Sequence, residues 1–451
     1  MPQWTRAAFR RGPNRGIVAV MTDSDDTATF EPLARVVVVG ASLAGLRAAE
    51  TLRQKDVATS IVVVGDEVHR PYDRPPLSKK LLSGEWEPDR IHLRQPDVFD
   101  DLDVEWRLGT AARSLDVSRR ELTLADGSVL GFDGLVIATG ARPRRLVGQE
   151  AFDHVHELRT LDDSLRLRDE IAIGGRRVVV VGAGFIGLEA AATAKKLGND
   201  VVVLEGASAP LIRGLGAEMG EAIAELHRAN GVDVRCGVLI DGLTAEGVRL
   251  AGGEIVSADV IVIGIGVTPN TQWLEGSGLR LRDGVVCDAN LNAIGVNGVV
   301  APSVFAAGDV ARWPNGLFDE EMRVEHWTNA AEQGAHVAAN LRRFAAGEPL
   351  EAYAPVPFFW SDQFDHRIQF LGRAAADDRV QVVAGSVADG KFLALYGRGG
   401  RLHGALGLNA PKWVMPTRKL FLDNASWDDA IAATTGLDAQ AAATTSTPVT
   451  G

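Results

Sequence analysis

The chain has 451 residues, of which 46% are hydrophobic and 24% are charged, and its formal net charge is −12. This length is sufficient for about three domains of ordinary size. The acidic balance argues against nucleic acid or an anionic membrane surface as the general partner. The two cysteines, Cys236 and Cys287, are far apart in sequence, which argues against a disulfide framework and fits a reducing cytoplasm. The nine histidines lack metal-binding spacing, so no protein-bound metal is expected.

The two ends of the chain have the composition of tails. Residues 1–30 contain Arg10-Arg11, but the apolar core of an export signal does not follow, and translation starts at either Met1 or Met21. Residues 437–451 are rich in Ala, Thr and Ser. Both ends, 1–30 and 437–451, are expected to be disordered.

The first predicted unit begins with a buried strand and a glycine-rich turn. The apolar run Val36–Val39 is followed by Gly40-Ala41-Ser42-Leu43-Ala44-Gly45 and by a predicted helix over 43–55. Such a turn places backbone N–H groups and the positive end of a helix against a pyrophosphate. Ser42 stands where the pattern has its middle glycine, which weakens the match. Asp66, after the next predicted strand, is suited to accept ribose hydroxyls, although it is also consistent with an ordinary surface turn.

A second, complete copy of the turn follows the apolar run Val178–Val181. It reads Gly182-Ala183-Gly184-Phe185-Ile186-Gly187, and the next predicted strand ends at Glu205. A carboxylate at this place accepts hydrogen bonds from the adenosine ribose and repels a 2′-phosphate. The sequence therefore predicts NADH rather than NADPH, a preference that the nearby Arg213 would weaken. The whole apolar stretch predicts strand, turn and helix rather than a membrane span.

The chain then returns to its first unit. The short apolar run Val304–Ala307 ends at Gly308-Asp309, and a helix is predicted over 328–344. From about Glu351 the sequence changes character. An antiparallel hairpin is predicted for Lys391–Tyr396 and Arg401–Leu408, joined by Gly397–Gly400. The predicted boundaries are residues 31–145 and 270–345 for the first, discontinuous nucleotide-binding domain, 146–269 for the NAD-binding domain and 346–436 for a C-terminal interface domain.

Several motifs together resemble the FAD-dependent NADH:ferredoxin reductases of the putidaredoxin reductase type, members of the pyridine nucleotide-disulfide oxidoreductase superfamily that lack the redox disulfide. The motifs are Pro71–Lys79, Ala138-Thr139-Gly140, Gly264–Asn270, Ala306–Asp309, Arg323–Trp327 and Phe359–Gln363. The resemblance covers residues 34–425. It implies an α/β fold with two Rossmann-like dinucleotide-binding domains in the glutathione-reductase-like arrangement, plus a C-terminal α+β domain.

The resemblance, together with the two glycine-rich turns, implies two sets of binding residues. The FAD set is Gly40, Ser42, Ala44, Gly45, Asp66, Arg74, Lys79, Arg159, Asp309 and Trp327. The NADH set is Gly182, Gly184, Ile186, Gly187, Glu189, Glu205, Gly266, Glu325 and Trp360. Lys79 and Glu189 are the predicted catalytic pair, because a lysine near the flavin edge stabilises negative charge there and a buried Lys–Glu pair satisfies both charges. The alternative for these two residues is a pair of ordinary surface charges.

The implied activity is electron transfer from NADH through FAD to a [2Fe–2S] ferredoxin that supplies an oxygenase. The absence of cysteine from residues 1–235 disfavours a thiol mechanism at the flavin. Ferredoxins are acidic, so a basic surface patch is expected near the flavin, and the protein is expected to be a monomer or a homodimer. Two alternatives stay open: a rubredoxin or monodehydroascorbate-type reductase, and a redox-sensing flavoprotein similar to the apoptosis-inducing flavoproteins.

Overall fold

The computed structural model describes residues 33–54, 58–435 and 437. The tails expected at 1–30 and 437–451 lie outside these residues, apart from residue 437. Three large sheets organise the described part of the chain, and they are called here the first sheet, the second sheet and the C-terminal sheet. Helices pack against the first and the second sheet, and strands of a small three-stranded sheet also pack against the second.

The first sheet has six strands, five of them parallel. In spatial order they are Asn292–Ile294, Val300–Ala306, Gly134–Ile137, Arg35–Val39, Ser60–Val64 and Glu105–Arg107. The central strand carries an unbroken run of valines, Val36–Val39, that is buried on both faces, as a parallel sheet that is covered on both sides requires. The strand Val300–Ala306 comes much later in sequence and pairs with Gly134–Ile137, so the chain returns to this sheet.

The second sheet has five parallel strands. In spatial order they are Asp233–Cys236, Asp200–Glu205, Arg177–Val181, Val260–Ile263 and Val155–His156. Its central valine strand repeats the arrangement of the first sheet. The predicted fold class, with its two Rossmann-like units, is confirmed.

The C-terminal sheet has five antiparallel strands. In spatial order they are Phe358–Gln363, His366–Gly372, Arg401–Leu408, Lys391–Arg398 and Arg379–Ser386. The predicted hairpin turns at Gly399-Gly400, where both residues have positive φ. The strand Phe358–Gln363 lies at the edge and packs against helices of both nucleotide-binding units.

Helices and small sheets complete the described fold. The helices are Leu43–Arg53, Pro96–Asp101, Leu161–Ile171, Phe185–Lys196, Ile212–Ala229, Trp327–Ala345, Pro411–Val414, Arg418–Leu422 and Trp427–Thr434. The small sheets contain strands Ala112–Asp116, Glu121–Leu124 and Val129–Gly131; Ala141–Pro143 and Val267–Pro269; Ile240–Thr244, Gly247–Leu250 and Ile255–Ser257; and Val285–Val286, Ala311–Asn315 and Glu320–Met322. The helix predicted over 43–55 ends at Arg53.

Each glycine-rich turn is sterically closed to larger residues. A Cβ on Gly40, whose φ is +123°, would lie 2.1 Å from the carbonyl oxygen of Ala138. A Cβ on Gly45 would lie 1.9 Å from the carbonyl oxygen of Gly40. Strand, turn and helix therefore approach so closely that the amide groups of the turn face the space beyond the strand end.

Candidate active site

A cavity of about 1050 Å³ opens at the carboxyl ends of the first sheet's parallel strands. Most of the predicted site residues line it. From the FAD set these are Gly40, Ser42, Ala44, Asp66, Arg74, Lys79, Arg159, Asp309 and Trp327, and from the NADH set they are Ile186, Glu189, Glu325 and Trp360. Gly45, Gly182, Gly184, Gly187, Glu205 and Gly266 are not among its lining residues. One cavity thus collects residues of both nucleotide-binding units and of the C-terminal sheet.

Arg74 forms a hydrogen bond with Ser42 in the cavity wall. The Arg74 guanidinium donates to Ser42 Oγ over 3.3 Å, to the Arg159 carbonyl over 2.6 Å and to Glu67 Oε1 over 2.6 Å. Tyr72 donates its hydroxyl to the same Glu67 carboxylate, and burial raises the pKa of Tyr72. The sequence predicts a role for Asp66 but none for its neighbour Glu67. It holds Arg74 at the glycine-rich turn, whereas Asp66 is exposed and lines the cavity.

Arg159 and Asp309 form an ion pair of 2.9 Å in the cavity wall. Asp309 belongs to a short 3₁₀ helix, Gly308–Val310, whose first amide donates to Gln333 Oε1 over 2.8 Å. Gln333 is fully buried and was not predicted from the sequence, because a glutamine inside the helix Trp327–Ala345 carries no motif. The wall therefore offers a guanidinium for phosphate oxygens and a carboxylate for hydroxyl groups.

Lys79 and Glu189 meet at the cavity wall. Lys79 Nζ lies 2.7 Å from Glu189 Oε2, and the two side chains are 17% and 6% exposed. Lys79 follows the 3₁₀ helix Pro75–Ser78 of the first unit, and Glu189 lies in the helix that follows the second glycine-rich turn. Ser78 and Ser361 also donate to the Glu189 carboxylate, each over 2.5 Å. The alternative of two ordinary surface charges is wrong for this pair.

Aromatic side chains border the cavity beside this pair. Trp327 donates its indole N–H to Asp73 Oδ1 over 2.7 Å, and its ring lies 6.0 Å from the ring of Trp360 at 63°. Burial raises the pKa of Asp73. His326 packs 4.8 Å from Phe359, and burial lowers the pKa of His326 to about 4, so it is neutral at pH 7. The two indoles provide a partly exposed aromatic surface at the cavity that the Lys79–Glu189 pair also lines.

The second glycine-rich turn lies at the end of the second sheet. Gly182 has φ +99°, and its Cβ would lie 2.4 Å from the Gly264 carbonyl oxygen. Glu205 accepts from the Ala183 amide over 2.7 Å and from the Ala207 amide over 2.8 Å. The carboxylate thus braces the turn as well as placing a negative charge beside it. Gly266 has φ +97° in the loop on the other side of this turn.

The residues of the cavity fit a flavin dinucleotide. The closed turn at Gly40 presents backbone amides, Arg74 and Arg159 provide positive charge for a pyrophosphate, and Asp66 and Asp309 provide acceptors for hydroxyl groups. The second turn fits a nicotinamide dinucleotide by the same amide geometry. Among the residues lining the cavity there is no cysteine: Cys287 is buried elsewhere and Cys236 is half-buried. Burial raises the pKa of both thiols, which disfavours thiolate chemistry.

Residues 34–334 match the family model described as pyridine nucleotide-disulphide oxidoreductase, and residues 358–443 match the model described as reductase C-terminal. The chain belongs to the pyridine nucleotide-disulphide oxidoreductase family. Its predicted family and enzyme class are therefore confirmed, and FAD and NAD(H) are the cofactors of this family. Along the described residues, none of the helices of this oxidoreductase combines the length and the apolar character needed to cross a bilayer.

Three similar proteins show which kind of oxidoreductase this chain resembles. The ferredoxin–NAD(+) reductase component of the p-cumate 2,3-dioxygenase system of Pseudomonas putida is 37% identical, over 78% of this chain and 84% of the relative. The corresponding component of the anthranilate 1,2-dioxygenase system of Burkholderia cepacia is 36% identical, over 87% and 95%. A crystal structure of the covalent putidaredoxin reductase–putidaredoxin complex is similar with a TM-score of 0.81 and 31% identity, over 89% of this chain and 99% of that chain.

Proposed function

We propose that this oxidoreductase transfers electrons from NADH through FAD to a [2Fe–2S] ferredoxin that supplies an oxygenase. Bound FAD supplies hydride acceptance and the release of single electrons, which matches a two-electron donor to a one-electron acceptor. The observation that carries the proposal is the 2.7 Å Lys79–Glu189 ion pair, which joins one residue from each nucleotide-binding unit at the cavity. The ferredoxin reductase components among the similar proteins support the choice of acceptor.

Several of the predicted site residues have a specific role in this proposal. Arg159 and the amides of the Gly40 turn hold the FAD pyrophosphate, and Asp309 accepts from hydroxyl groups of the cofactor. Lys79 stabilises negative charge that arrives at the flavin edge, and Glu189 neutralises Lys79 while facing the nicotinamide. The protein supplies alignment and electrostatics, and no general base is required. The partly exposed Trp327 and Trp360 border the face at which we place ferredoxin docking.

The proposal includes the domain boundaries and the electron donor. Residues 31–145 and 270–345 form the FAD-binding domain, 146–269 the NAD-binding domain and 346–436 the C-terminal interface domain. The negative charge of Glu205 favours NADH over NADPH, because a 2′-phosphate would be repelled there. The reducing cytoplasm is the compartment in which this function is expected.

The acceptor is tested with a panel assayed under NADH: a [2Fe–2S] ferredoxin, a rubredoxin, monodehydroascorbate and oxygen. We expect rapid reduction of the ferredoxin, with two molecules reduced for each NADH consumed. Preference for rubredoxin or monodehydroascorbate would assign the enzyme to the corresponding alternative. Slow turnover with every acceptor, together with a long-lived absorbance band of an NAD–flavin complex, would contradict the proposal and indicate a redox sensor.

A further inference from the structure

A buried chain of hydrogen bonds runs from the cavity into the protein interior. Glu189 Oε1 accepts from Ser361 Oγ over 2.5 Å, Ser361 Oγ accepts from Gln363 Nε2 over 3.1 Å, and Gln363 Oε1 lies 2.9 Å from His227 Nε2. Ser361, Gln363 and His227 are all fully buried. Polar side chains placed so deeply require partners, and here each one partners the next.

The hydrogen bonds in this series all point the same way, from His227 toward Glu189. Glu189, as a carboxylate paired with Lys79, can only accept, so the Ser361 hydroxyl must donate to it. Ser361 then accepts from the amide nitrogen of Gln363, which turns the amide oxygen toward His227. His227 Nε2 therefore carries the hydrogen. Burial lowers the pKa of His227 to about 4, so the ring is a neutral donor at pH 7 and adds no charge to the chain.

Two parts of the fold, the C-terminal sheet and the second nucleotide-binding unit, meet in this series of hydrogen bonds. Ser361 and Gln363 lie on the edge strand Phe358–Gln363 of the C-terminal sheet, two residues apart and hence on the same face. His227 belongs to the helix Ile212–Ala229 of the second unit. Trp360 directly precedes Ser361 and therefore lies on the opposite face of the strand, where it lines the cavity. The same strand therefore forms part of the cavity wall and contacts the buried side of Glu189.

We infer that Ser361, Gln363 and His227 are positioning residues for the Lys79–Glu189 pair, through which the C-terminal sheet sets the electrostatic environment at the reacting side of the cavity. Both Glu189 oxygens are occupied by donors: Oε2 by Lys79 and Ser78, and Oε1 by Ser361. The carboxylate is held in one orientation, and it holds the Lys79 ammonium in turn. The inference rests on the proposed function, because it requires these two side chains to face the cofactors.

The test replaces Ser361 by alanine and measures the reduction potential of bound FAD by anaerobic dye equilibration. Without its third donor, the Glu189 charge is less compensated and opposes the addition of electrons to the cavity. We expect the equilibrium constant for FAD reduction to fall about tenfold, which is about 30 mV for a two-electron couple. Ser361→Thr keeps the hydroxyl and is expected to retain the wild-type potential.

A matched control separates this effect from a general loss of a buried serine. Ser164 is also fully buried and donates to the Leu77 carbonyl over 2.7 Å without contacting Glu189. Ser164→Ala is expected to leave the potential of FAD unchanged, whatever its effect on melting temperature. Gln363→Leu preserves all the donors to Glu189 but frees the Ser361 hydroxyl to rotate. It is expected to lower the equilibrium constant for FAD reduction about threefold, which is about 14 mV in the same direction as Ser361→Ala.

The outcomes distinguish this inference from the proposed function. If wild-type FAD is reduced by NADH but Ser361→Ala and Gln363→Leu both keep the wild-type potential, the inference is wrong and the proposed function stands. If NADH does not reduce wild-type FAD, the proposed function is wrong. If Ser361→Ala fails to retain FAD, the potential of Gln363→Leu decides: a shift supports the positioning role and an unchanged potential overturns it.

Discussion

Glu205 combines a structural role with the selective role that we propose for it. Its two carboxylate oxygens accept from the Ala183 and Ala207 amides, so the side chain is held in a fixed position beside the second glycine-rich turn. A fixed negative charge discriminates more strongly against a phosphate than a mobile one, because it cannot swing away. The preference for NADH is therefore expected to depend on the charge of Glu205 rather than on its size.

Glu205→Gln keeps the size and removes the charge. We expect the ratio of kcat/KM for NADH to kcat/KM for NADPH to fall at least about tenfold, which corresponds to about 1.4 kcal/mol. Steady-state kinetics with both nucleotides measures this ratio. Glu246→Gln, an exposed residue of the same unit, is the control and should keep the wild-type ratio. An unchanged ratio in Glu205→Gln would assign the selectivity to other residues.

At the residue scale, the sequence indicated Lys79 and Glu189 better than the residues that hold the site in place. Lys79 and Glu189 lie in quoted motifs, and the structure brings them together as an ion pair. Glu67, Ser78 and Gln333 were missed, because each acts only through another residue. Glu67 holds Arg74, Ser78 holds Glu189 and Gln333 holds the Gly308 amide. Ser361 lay inside a quoted motif, but only the adjacent Trp360 was given a role. Residues that act through hydrogen bonds to other segments show no regular spacing by which a single sequence would reveal them.

At the scale of elements, the strand–turn–helix unit was predictable because its physics is local. Continuous valine runs predict buried parallel strands, and glycine at fixed places permits the close approach of helix and strand. The order of the strands and the edge position of Phe358–Gln363 were not predicted, since they depend on pairings between distant segments. The return of the chain to the first sheet was indicated by the motif ending in Asp309.

A substitution at Gly187 tests how closely the helix packs against the second glycine-rich turn. A Cβ at this position would lie 2.2 Å from the Gly182 carbonyl oxygen, and that backbone atom cannot rotate away. We expect Gly187→Ala to lower the free energy of unfolding by about 1–3 kcal/mol and to weaken NADH binding, because the turn must shift. Gly131→Ala is the control, since its Cβ would meet nothing within 4 Å. Denaturant unfolding and NADH titration measure both effects, and wild-type values for Gly187→Ala would contradict this account of the turn.

At the scale of the whole molecule, the C-terminal sheet is fastened to the rest of the chain by charge as well as by apolar contact. Glu320, from a small sheet, lies 2.9 Å from the guanidinium of Arg398 and 3.4 Å from that of Arg373, both of the C-terminal region. Arg398 also pairs with the buried Asp378 over 3.1 Å. These ion pairs attach the C-terminal sheet, whose edge strand carries Trp360 and Ser361, to the small sheet that contains Glu320.

The central claim is that electrons pass between the cofactors at the junction marked by Lys79 and Glu189. Loss of a charged partner there is worth about 1.5–3 kcal/mol, which corresponds to a rate decrease of about ten- to a hundredfold. Lys80→Ala is the matched control, because Lys80 is exposed and lies over Trp86.

The most direct test is anaerobic stopped-flow reduction of the FAD-saturated protein by NADH, compared among wild type, Lys79→Ala and Lys80→Ala. We predict a rate constant for flavin reduction that is lower by about ten- to a hundredfold in Lys79→Ala and unchanged in Lys80→Ala. A Lys79→Ala protein that retains its flavin and is reduced at the wild-type rate would contradict the account.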